Sequence, residues 1–295
     1  MLTLDHVSKI FGKAAPAVDD VSFVAKAGVL GLIGHNGAGK TTLMQMIATL
    51  TKPSAGQIFF HDEDIVETPN AIRNCLGFLP QDFGVYPNLS ALEFMQYFAA
   101  LKGVKDPQRI RHLLELVNLH DQAHRSAAEF SGGMRRRLGI AQALLNDPEI
   151  LVVDEPTAGL DPEERLRFRN LLAELGQEKL VIMSTHIVSD VEHIASQLAI
   201  LRNGKLLAFA TPEHLLEQAR GRIWSATVDS ATFAELSKTT QVLNSQRSIV
   251  EGVAQHQVRI AHPVQPCAEA ELSEPSLEDA LMAHGQVSSI LPVSA

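Results

Sequence analysis

One glycine-rich stretch of the sequence has the residue types and spacing that phosphate binding requires. It reads GHNGAGKTT and places Gly34, Gly39, Lys40 and Thr41 in the pattern G-x-x-x-x-G-K-[ST], after the apolar run VLGLI and before LMQMIATL. Glycines let backbone N–H groups wrap around phosphates, the lysine neutralises their charge, and the hydroxyl can hold Mg²⁺. The alternative is a plain glycine-rich turn with a surface lysine, and the flanking strand and helix patterns argue against it.

Two carboxylates end a second apolar run, ILVVDE, at Asp154 and Glu155. Ligands of an open α/β sheet bind beyond the carboxyl ends of its strands, so Asp154 can reach a Mg²⁺ ion and Glu155 can polarise an attacking water. Taken alone, these acids could equally cap the helix that follows. Together with the glycine-rich loop, they favour phosphoryl transfer.

A third stretch, FSGGM, places Ser131, Gly132 and Gly133 directly before a helical pattern. A helix start exposes unpaired N–H groups and partial positive charge, and small residues let an anion approach the backbone closely. The chain therefore has two phosphate-type sites but only one set of acids for Mg²⁺ and water.

Short buried strands and helices that can position these residues alternate along the first part of the chain. The runs GVLGLIG, EILVVDE and KLVIMSTH predict buried strands of an α/β core. Helix starts are predicted at Ser90, with Glu93 as its capping-box partner, and before Pro162 and Pro212. Asn203 and the glycine after it predict a two-residue hairpin turn that closes the core.

Domain organisation follows from changes in these patterns. Strand signals disappear between about residues 82 and 149, which predicts an inserted helical subdomain. After about residue 220 the sequence pattern changes to short strand-like segments such as IWSATV and HQVRIA. The prediction is a first domain over residues 1–220 and a small C-terminal α+β domain over 221–295, in which no catalytic constellation is found.

Composition narrows the classes of function. The formal net charge of −9 argues against broad binding to nucleic acid or to an anionic membrane surface. Arg135, Arg136 and Arg137 are interpreted as a solvated or ion-paired helix face rather than a nucleic-acid site. Cys75 and Cys267 suggest neither a disulfide framework nor a thiolate metal site. No signal peptide or membrane span is predicted, so a cytoplasmic location is expected.

Together these motifs resemble those of the ATP-binding cassette (ABC) ATPases. The stretch 34–42 resembles the Walker A motif, 150–155 resembles the Walker B motif with its following glutamate, and FSGGM is similar to the LSGGQ signature. Further residues fall at family positions: Gln81 in LPQD at the Q-loop, Asp161 in AGLD at the D-loop, His186 in STH at the switch histidine, and Phe11 in KIFG where an aromatic ring stacks on adenine. The resemblance covers residues 1 to about 215.

The resemblance implies a P-loop NTPase fold with a mixed sheet and an inserted helical subdomain. It implies catalytic roles for Glu155, His186 and Gln81, and Mg²⁺ binding by Thr41, Gln81 and Asp154. The implied ATP-binding residues are Phe11, Gly34, His35, Asn36, Gly37, Ala38, Gly39, Lys40, Thr41, Thr42, Ser131, Gly132, Gly133 and Asp161. Phe130 and Met134 replace the usual leucine and glutamine of the signature, which leaves its Ser-Gly-Gly backbone intact.

The family also implies partners. Two subunits, expected as a homodimer, close over two shared Mg-ATP sites, with the signature of each subunit facing the nucleotide of the other. The ATPase then drives a separate membrane permease, which holds it at the inner face of the cell membrane. The ending SEPSLEDALM resembles export-type subunits. The alternative is an ABC ATPase that acts on ribosomes or DNA without a membrane partner, and such relatives usually carry a second cassette or a long insertion.

Phe83 and Tyr86 have two open interpretations, as core anchors or as an apolar surface for a short helix of the permease.

Overall fold

The structure, a computed structural model, describes residues 1–250 and 253–287. The last eight residues of the predicted C-terminal domain therefore lie outside the described residues. The chain divides into two compact units, Met1–Phe209 and the residues from Ala210 onward. The first unit contains two sheets and the second contains one, and each unit has its own buried core.

Strands and helices alternate through the first unit. Its strands are β1 (Leu2–Lys9), β2 (Val18–Ala25), β3 (Gly28–Ile33), β4 (Ala55–Phe60), β5 (Glu63–Asp64), β6 (Leu76–Leu79), β7 (Ile150–Asp154), β8 (Leu180–Thr185), β9 (Gln197–Arg202) and β10 (Lys205–Ala210). Its helices are α1 (Lys40–Ile47), α2 (Pro69–Arg73), α3 (Ala91–Leu101), α4 (Pro107–Leu116), α5 (Gly132–Ala143) and α6 (Pro162–Leu175). The three strands predicted from apolar runs are confirmed as β3, β7 and β8.

Two sheets enclose helix α1. One has the strand order β2-β1-β4-β5 and is antiparallel; the other has the order β10-β9-β3-β8-β7-β6, with parallel pairing from β9 to β6. Apolar residues of both sheets form one buried cluster with Leu43, Met44 and Ile47 of α1. This burial fixes the helix, and with it the glycine-rich loop at its N-terminus.

The parallel register brings the candidate residues to one edge of the second sheet. Ile33 at the end of β3 pairs with Thr185 at the end of β8, and Ser184 pairs with Asp154 at the end of β7. The loops after these three strands carry the glycine-rich segment, Glu155 and the switch histidine. A parallel sheet gathers them because its carboxyl ends all meet at the same edge.

Local signals placed several elements correctly. Ser90 and Glu93 form the predicted capping box at the start of α3, and Asp161 accepts a hydrogen bond from the backbone of Glu164 at the start of α6. Asn203 and Gly204 have φ of 50° and 81°, as a two-residue hairpin turn requires, and they join β9 to β10. These predictions are confirmed because each depends only on neighbouring residues.

The second unit is built on an antiparallel sheet. It contains α7 (Pro212–Ala219), β11 (Ile223–Asp229), α8 (Ser230–Thr239), β12 (Gln241–Val250), β13 (Val253–Ala261), β14 (Glu271–Leu272) and α9 (Leu277–Val287), with strand order β12-β13-β11-β14. The predicted strands in IWSATV and HQVRIA are confirmed. Helix α7 packs on α9, so the second unit begins about ten residues before the composition change.

Candidate functional site

The glycine-rich loop leads from β3 into α1 along a path that residues with a side chain could not follow. A Cβ atom at Gly34 would lie 2.4 Å from the carbonyl oxygen of Leu201, and one at Gly39 would lie 2.3 Å from that of Ala17. Gly39 also has a φ of 100°, a left-handed conformation that L-residues rarely adopt. It precedes α1 without a side-chain cap, so the first amides of the helix point into the loop without a side-chain acceptor.

Lys40 extends back over this loop and is almost fully buried. Its Nζ donates hydrogen bonds to the carbonyl oxygens of Gly34, at 2.7 Å, and His35, at 3.2 Å. It also lies 3.8 Å from Oε1 of Glu155. Burial lowers the pKa of Lys40, and the charges of Glu155 and Asp154 oppose that shift. The ammonium is therefore held at the loop by carbonyl oxygens and a carboxylate, a position from which it can meet a phosphate.

Asp154 and Glu155 are held by a serine on the neighbouring strand. The Ser184 hydroxyl donates a 2.5 Å hydrogen bond to the carboxylate of Asp154 and accepts one from the backbone N–H of Glu155 at 2.9 Å. Asp154 is buried, whereas the carboxylate of Glu155 reaches the cavity described below. Sequence reasoning missed Ser184; its only signal is a hydroxyl residue at the end of the apolar run VIM.

His186 contacts the same carboxylate oxygen of Glu155 as the lysine does. Its Nδ1 is 3.1 Å from Oε1 of Glu155, and the imidazole remains partly exposed. The one carboxylate thus contacts a lysine of the glycine-rich loop and a histidine of the loop after β8. The predicted catalytic pair, Glu155 and His186, is within hydrogen-bonding distance.

A cavity of about 520 Å³ lies beside Lys40 and Glu155, whereas Asp154, Ser184 and His186 do not belong to its lining. It is lined by Phe11, Ala17, Asn36, Gly37, Ala38, Gly39, Lys40, Thr41, Thr42, Gln81 and Glu155. Phe11 is half exposed, with the Lys9 ammonium 5.1 Å from its ring. An aromatic ring, a glycine-rich loop and a carboxylate therefore share one space, which suits a base, a phosphate chain and a water respectively. The Gly34 and His35 carbonyls adjoin it through Lys40.

The signature residues and Asp161 are positioned differently. Ser131 is the N-cap of α5, and its hydroxyl accepts a hydrogen bond from the backbone N–H of Met134 at 3.1 Å. Gly132 faces open space, since no described atom lies within 4 Å of a Cβ built there. In the part of the chain that the structure describes, neither residues 131–133 nor Asp161 belong to the lining of the cavity. The structure separates the two phosphate-type sites.

The three arginines after the signature have different surroundings. Arg135 is exposed and donates to the Ala128 carbonyl, as a solvated residue can. Arg137 is buried, with hydrogen bonds to two carbonyls of the loop after α4 and an ion pair to Glu164 at 3.1 Å, so the ion-paired interpretation is confirmed for it. Arg136 fits neither description, because it is partly buried and donates to the backbone carbonyl of Glu155.

Phe83 and Tyr86 differ in exposure. Phe83 is half buried; it would contact a Cβ at Gly139, and its ring packs edge-on against Phe94. Tyr86 is 47 % exposed and packs against Tyr97, itself 45 % exposed, and against Phe98. The core interpretation suits Phe83. Tyr86 and Tyr97 instead form an exposed aromatic surface on α3 and the segment before it.

The described side chains and helices also bear on metal binding and on membrane insertion. Among residues 1–250 and 253–287 there is no group of three or more His, Cys, Asp or Glu side chains that could hold a metal ion. A Mg²⁺ ion at the loop would instead take its protein ligands from the predicted set, which is the Thr41 hydroxyl, the Gln81 amide and the Asp154 carboxylate. None of the helices in the same described ranges is long and apolar enough to cross a membrane.

Comparison with known proteins places the chain among transport ATPases. The family model described as ABC transporter matches residues 18–158. The Nod factor export ATP-binding protein I of Cupriavidus metallidurans is 34 % identical over 226 residues, 75 % of this chain and 74 % of that protein. The bacitracin transport ATP-binding protein BcrA of Bacillus licheniformis is 36 % identical over 217 residues, 72 % of this chain and 71 % of that protein. A solved dimer of the ATP-binding cassette MJ0796, in a post-hydrolysis state bound to ADP and Pi, matches with a TM-score of 0.65 and 26 % identity over 72 % of this chain and 98 % of that one.

Proposed function

This chain belongs to the ABC transporter ATP-binding proteins and is an ATPase of that family, and we propose that it drives export through a separate membrane permease. In this proposal two copies close over two shared Mg-ATP sites, hydrolyse ATP and reopen. The observation that carries it is that Lys40 and Glu155 line one cavity, with His186 in contact with the carboxylate of Glu155, and that the signature of the same chain is absent from the lining.

Nucleotide binding follows from the lining of the cavity. The Phe11 ring stacks on the adenine, and the backbone N–H groups of the loop and of the first turn of α1 bind the phosphates. Lys40 exchanges its carbonyl partners for phosphate oxygens, which gain more from its charge than neutral carbonyls do. The glycines are required because the phosphates must approach the backbone itself.

Thr41 and Gln81 in the cavity lining, with Asp154 buried next to Glu155, offer the hard oxygen ligands that Mg²⁺ prefers. Thr41, Gln81 and Asp154 would hold the ion, and the Ser184 hydroxyl fixes the carboxylate of Asp154 from the side. When bound, the ion neutralises charge on the phosphate oxygens. Asp154 suits this role because it is buried and its carboxylate has no cationic partner within salt-bridge distance among the described residues.

Glu155 orients the attacking water and accepts its proton, as its position at the cavity allows. His186 holds the carboxylate in place through the 3.1 Å contact to Oε1 and can in turn meet the γ-phosphate. Phosphoryl transfer depends mainly on positioning and on charge stabilisation, and the lysine and these two residues supply both. Asp161 and Ser131 to Gly133 act across the dimer interface.

The proposals of export and of a permease partner rest on the names of two relatives and on one exposed aromatic surface. Two relatives are named for export of Nod factor and for bacitracin transport. The exposed rings of Tyr86 and Tyr97 offer an apolar surface beside the Q-loop on which a short helix of a permease can dock. Purification of the full chain from solubilised membranes should bring down a polytopic protein, and Tyr97→Ser should weaken that recovery without lowering ATP binding. Recovery that is unaffected by Tyr97→Ser would place the contact elsewhere.

Mixing two inactive variants tests the shared sites. Lys40→Ala removes the phosphate-binding charge from one chain, and Ser131→Arg blocks the signature of the other. A mixed dimer then contains one doubly damaged site and one intact site, so mixing should restore part of the ATPase activity. If both motifs served the nucleotide of their own chain, every site would carry a lesion and mixing would restore nothing.

One control makes this experiment decisive, because two sites that must fire together would also give no activity. Formation of the mixed dimer and ATP trapping at its intact site are therefore measured alongside turnover. A mixed dimer that forms but traps no nucleotide contradicts the shared-site mechanism.

A further inference from the structure

Helix α5 lies unusually close to the strand that leads into the Q-loop. A Cβ atom at Gly139 would be 2.5 Å from a methyl carbon of Leu79 in β6 and 3.1 Å from the ring of Phe83. Only a glycine allows this approach without displacement of the neighbouring side chains. The close packing brings the helix turn before Gly139 over the segment that carries Gln81 and over the end of β7.

Arg136 occupies that turn, and its guanidinium lies between two functional loops. One of its nitrogens donates to the backbone carbonyl of Glu155, and another lies 3.5 Å from the backbone carbonyl of Gln81. Burial lowers the pKa of Arg136, while the nearby charges of Glu155, Asp154 and Asp82 oppose that shift. An arginine keeps its charge under such conditions, so a permanent positive charge lies near the carboxylates of Glu155 and Asp154.

The backbone of Glu155 needs such support. Its φ is +44°, in the left-handed region that residues with a Cβ atom seldom occupy, and such a conformation persists only where the surroundings hold it. Ser184 accepts a hydrogen bond from the N–H of Glu155 on one side, and Arg136 donates to its carbonyl on the other. The two contacts fix the peptide groups that aim the carboxylate into the cavity.

We propose that Arg136 is a positioning residue for Glu155, which it holds in its left-handed conformation from the signature helix of the same chain. The proposal rests on the role of Glu155 proposed above and assigns Arg136 no contact with ATP. Ser131 caps the same helix five residues earlier, so Arg136 joins the signature helix directly to the backbone of the water-orienting residue of the same chain.

Substitution of Arg136 tests this with a matched control on the same helix. Arg136→Gln should lower kcat by about 10-fold to 100-fold, the effect expected of a misplaced catalytic group, and should leave KM for ATP within about twofold. Arg136→Lys, which keeps the charge and one donor, should recover part of kcat. The control is Arg135→Gln in the same full-length chain. Arg135 is exposed, and its hydrogen bond among the described residues is to the Ala128 carbonyl, so the Arg135→Gln variant should have the kcat of the wild-type chain.

A double variant separates positioning from a general structural effect. In a Glu155→Gln background Arg136 has no catalytic carboxylate to position, so adding Arg136→Gln should not slow single-turnover hydrolysis further. A further slowing equal to the effect seen in the wild-type background overturns the proposal. So does a wild-type kcat for Arg136→Gln, or a raised KM with unchanged kcat.

Two further outcomes are distinguishable. If Glu155→Gln itself hydrolyses ATP at the wild-type rate, the role proposed above for Glu155 fails and Arg136 loses its assigned target. If Glu155→Gln is inactive while Arg136→Gln is fully active, only the Arg136 proposal fails. Should Arg136→Gln not fold, Arg136→Met decides the matter, because it keeps an unbranched apolar stem and removes every donor: a folded Arg136→Met with wild-type kcat overturns the positioning role.

Discussion

Two helices of the first unit begin at glycine-rich segments, α1 at the nucleotide cavity and α5 at the signature, and they begin in different ways. Gly39 precedes α1 with a φ of 100° and no side-chain cap. Ser131 precedes α5 in an extended conformation and accepts a hydrogen bond from the Met134 N–H. Helices α3 to α8 all begin with a side-chain cap of this kind, whereas α1 and the short helix α2 begin without one.

This difference indicates what each helix start does. The loop before α1 is shaped by close contacts within its own chain, and no side chain among the described residues caps the first amides of the helix. The start of α5 is already stabilised by its own cap and presents Gly132 to open space. On the proposed mechanism, α1 binds the nucleotide of its own chain, whereas α5 becomes part of a binding site only when a second copy arrives.

Alanine substitution of Gly39 and of Gly132 should give the largest difference in stability between the two helix starts. Gly39→Ala places a Cβ 2.3 Å from the Ala17 carbonyl at a φ of 100°, so we expect it to lower the free energy of unfolding by about 2–3 kcal/mol or more. Gly132→Ala meets open space within a helix and should leave stability unchanged or raise it by up to about 1 kcal/mol. Urea unfolding followed by circular dichroism measures both.

The same two variants can also contradict the proposed difference between the starts of α1 and α5. Equal destabilisation by the two alanines would show that the α5 start is as tightly packed as the α1 start, and that Gly132 does not face open space. Gly132→Ala should also reduce ATPase activity in spite of its normal stability, since a methyl group there obstructs the approach of a phosphate. Full activity of Gly132→Ala would remove the functional reason for the small residue.

Sequence reasoning placed the elements that depend on local pattern and missed contacts that depend on packing. The strand before Asp154, the capping box at Ser90 and the hairpin turn at Gly204 were predictable because neighbouring residues determine them. The family motifs also identified Glu155 and His186, which lie within hydrogen-bonding distance. Their catalytic roles remain proposals.

Arg136 and Ser184 show why the rest was not predictable. Arg136 belongs to a run of three arginines that a sequence pattern cannot distinguish, and only the approach of α5 at Gly139 places it over Glu155. Ser184 reaches Glu155 only because β7 and β8 pair in parallel with Asp154 opposite it. Both contacts join segments that are far apart in sequence, and neither leaves a periodic signal in it.

The far end of α5 offers a smaller test of how firmly that helix is held. Lys102 follows α3, and its Nζ donates to the Gln142 carbonyl in the last turn of α5, at 3.1 Å, and to the Asn146 side chain, at 3.0 Å. Both partners are neutral, and burial lowers the pKa of Lys102 from 10.5 to about 8. By contrast, α1 has no basic residue in its last turn.

A lowered lysine pKa makes stability depend on pH in a defined direction. The fold disfavours the charged form, so the stabilising contribution of neutral Lys102 is complete above the unfolded pKa of 10.5 and is lost as the pH falls through about 8. The stability of the wild-type chain relative to Lys102→Met should therefore rise between pH 8 and pH 10.5, as measured by urea unfolding at a series of pH values. Nζ of Lys102 should titrate near pH 8 by NMR, with Lys102→Met identifying its signal. A flat stability difference over this range, or titration near 10.5, would show that the ammonium is solvated and that the end of α5 is not held by a buried lysine.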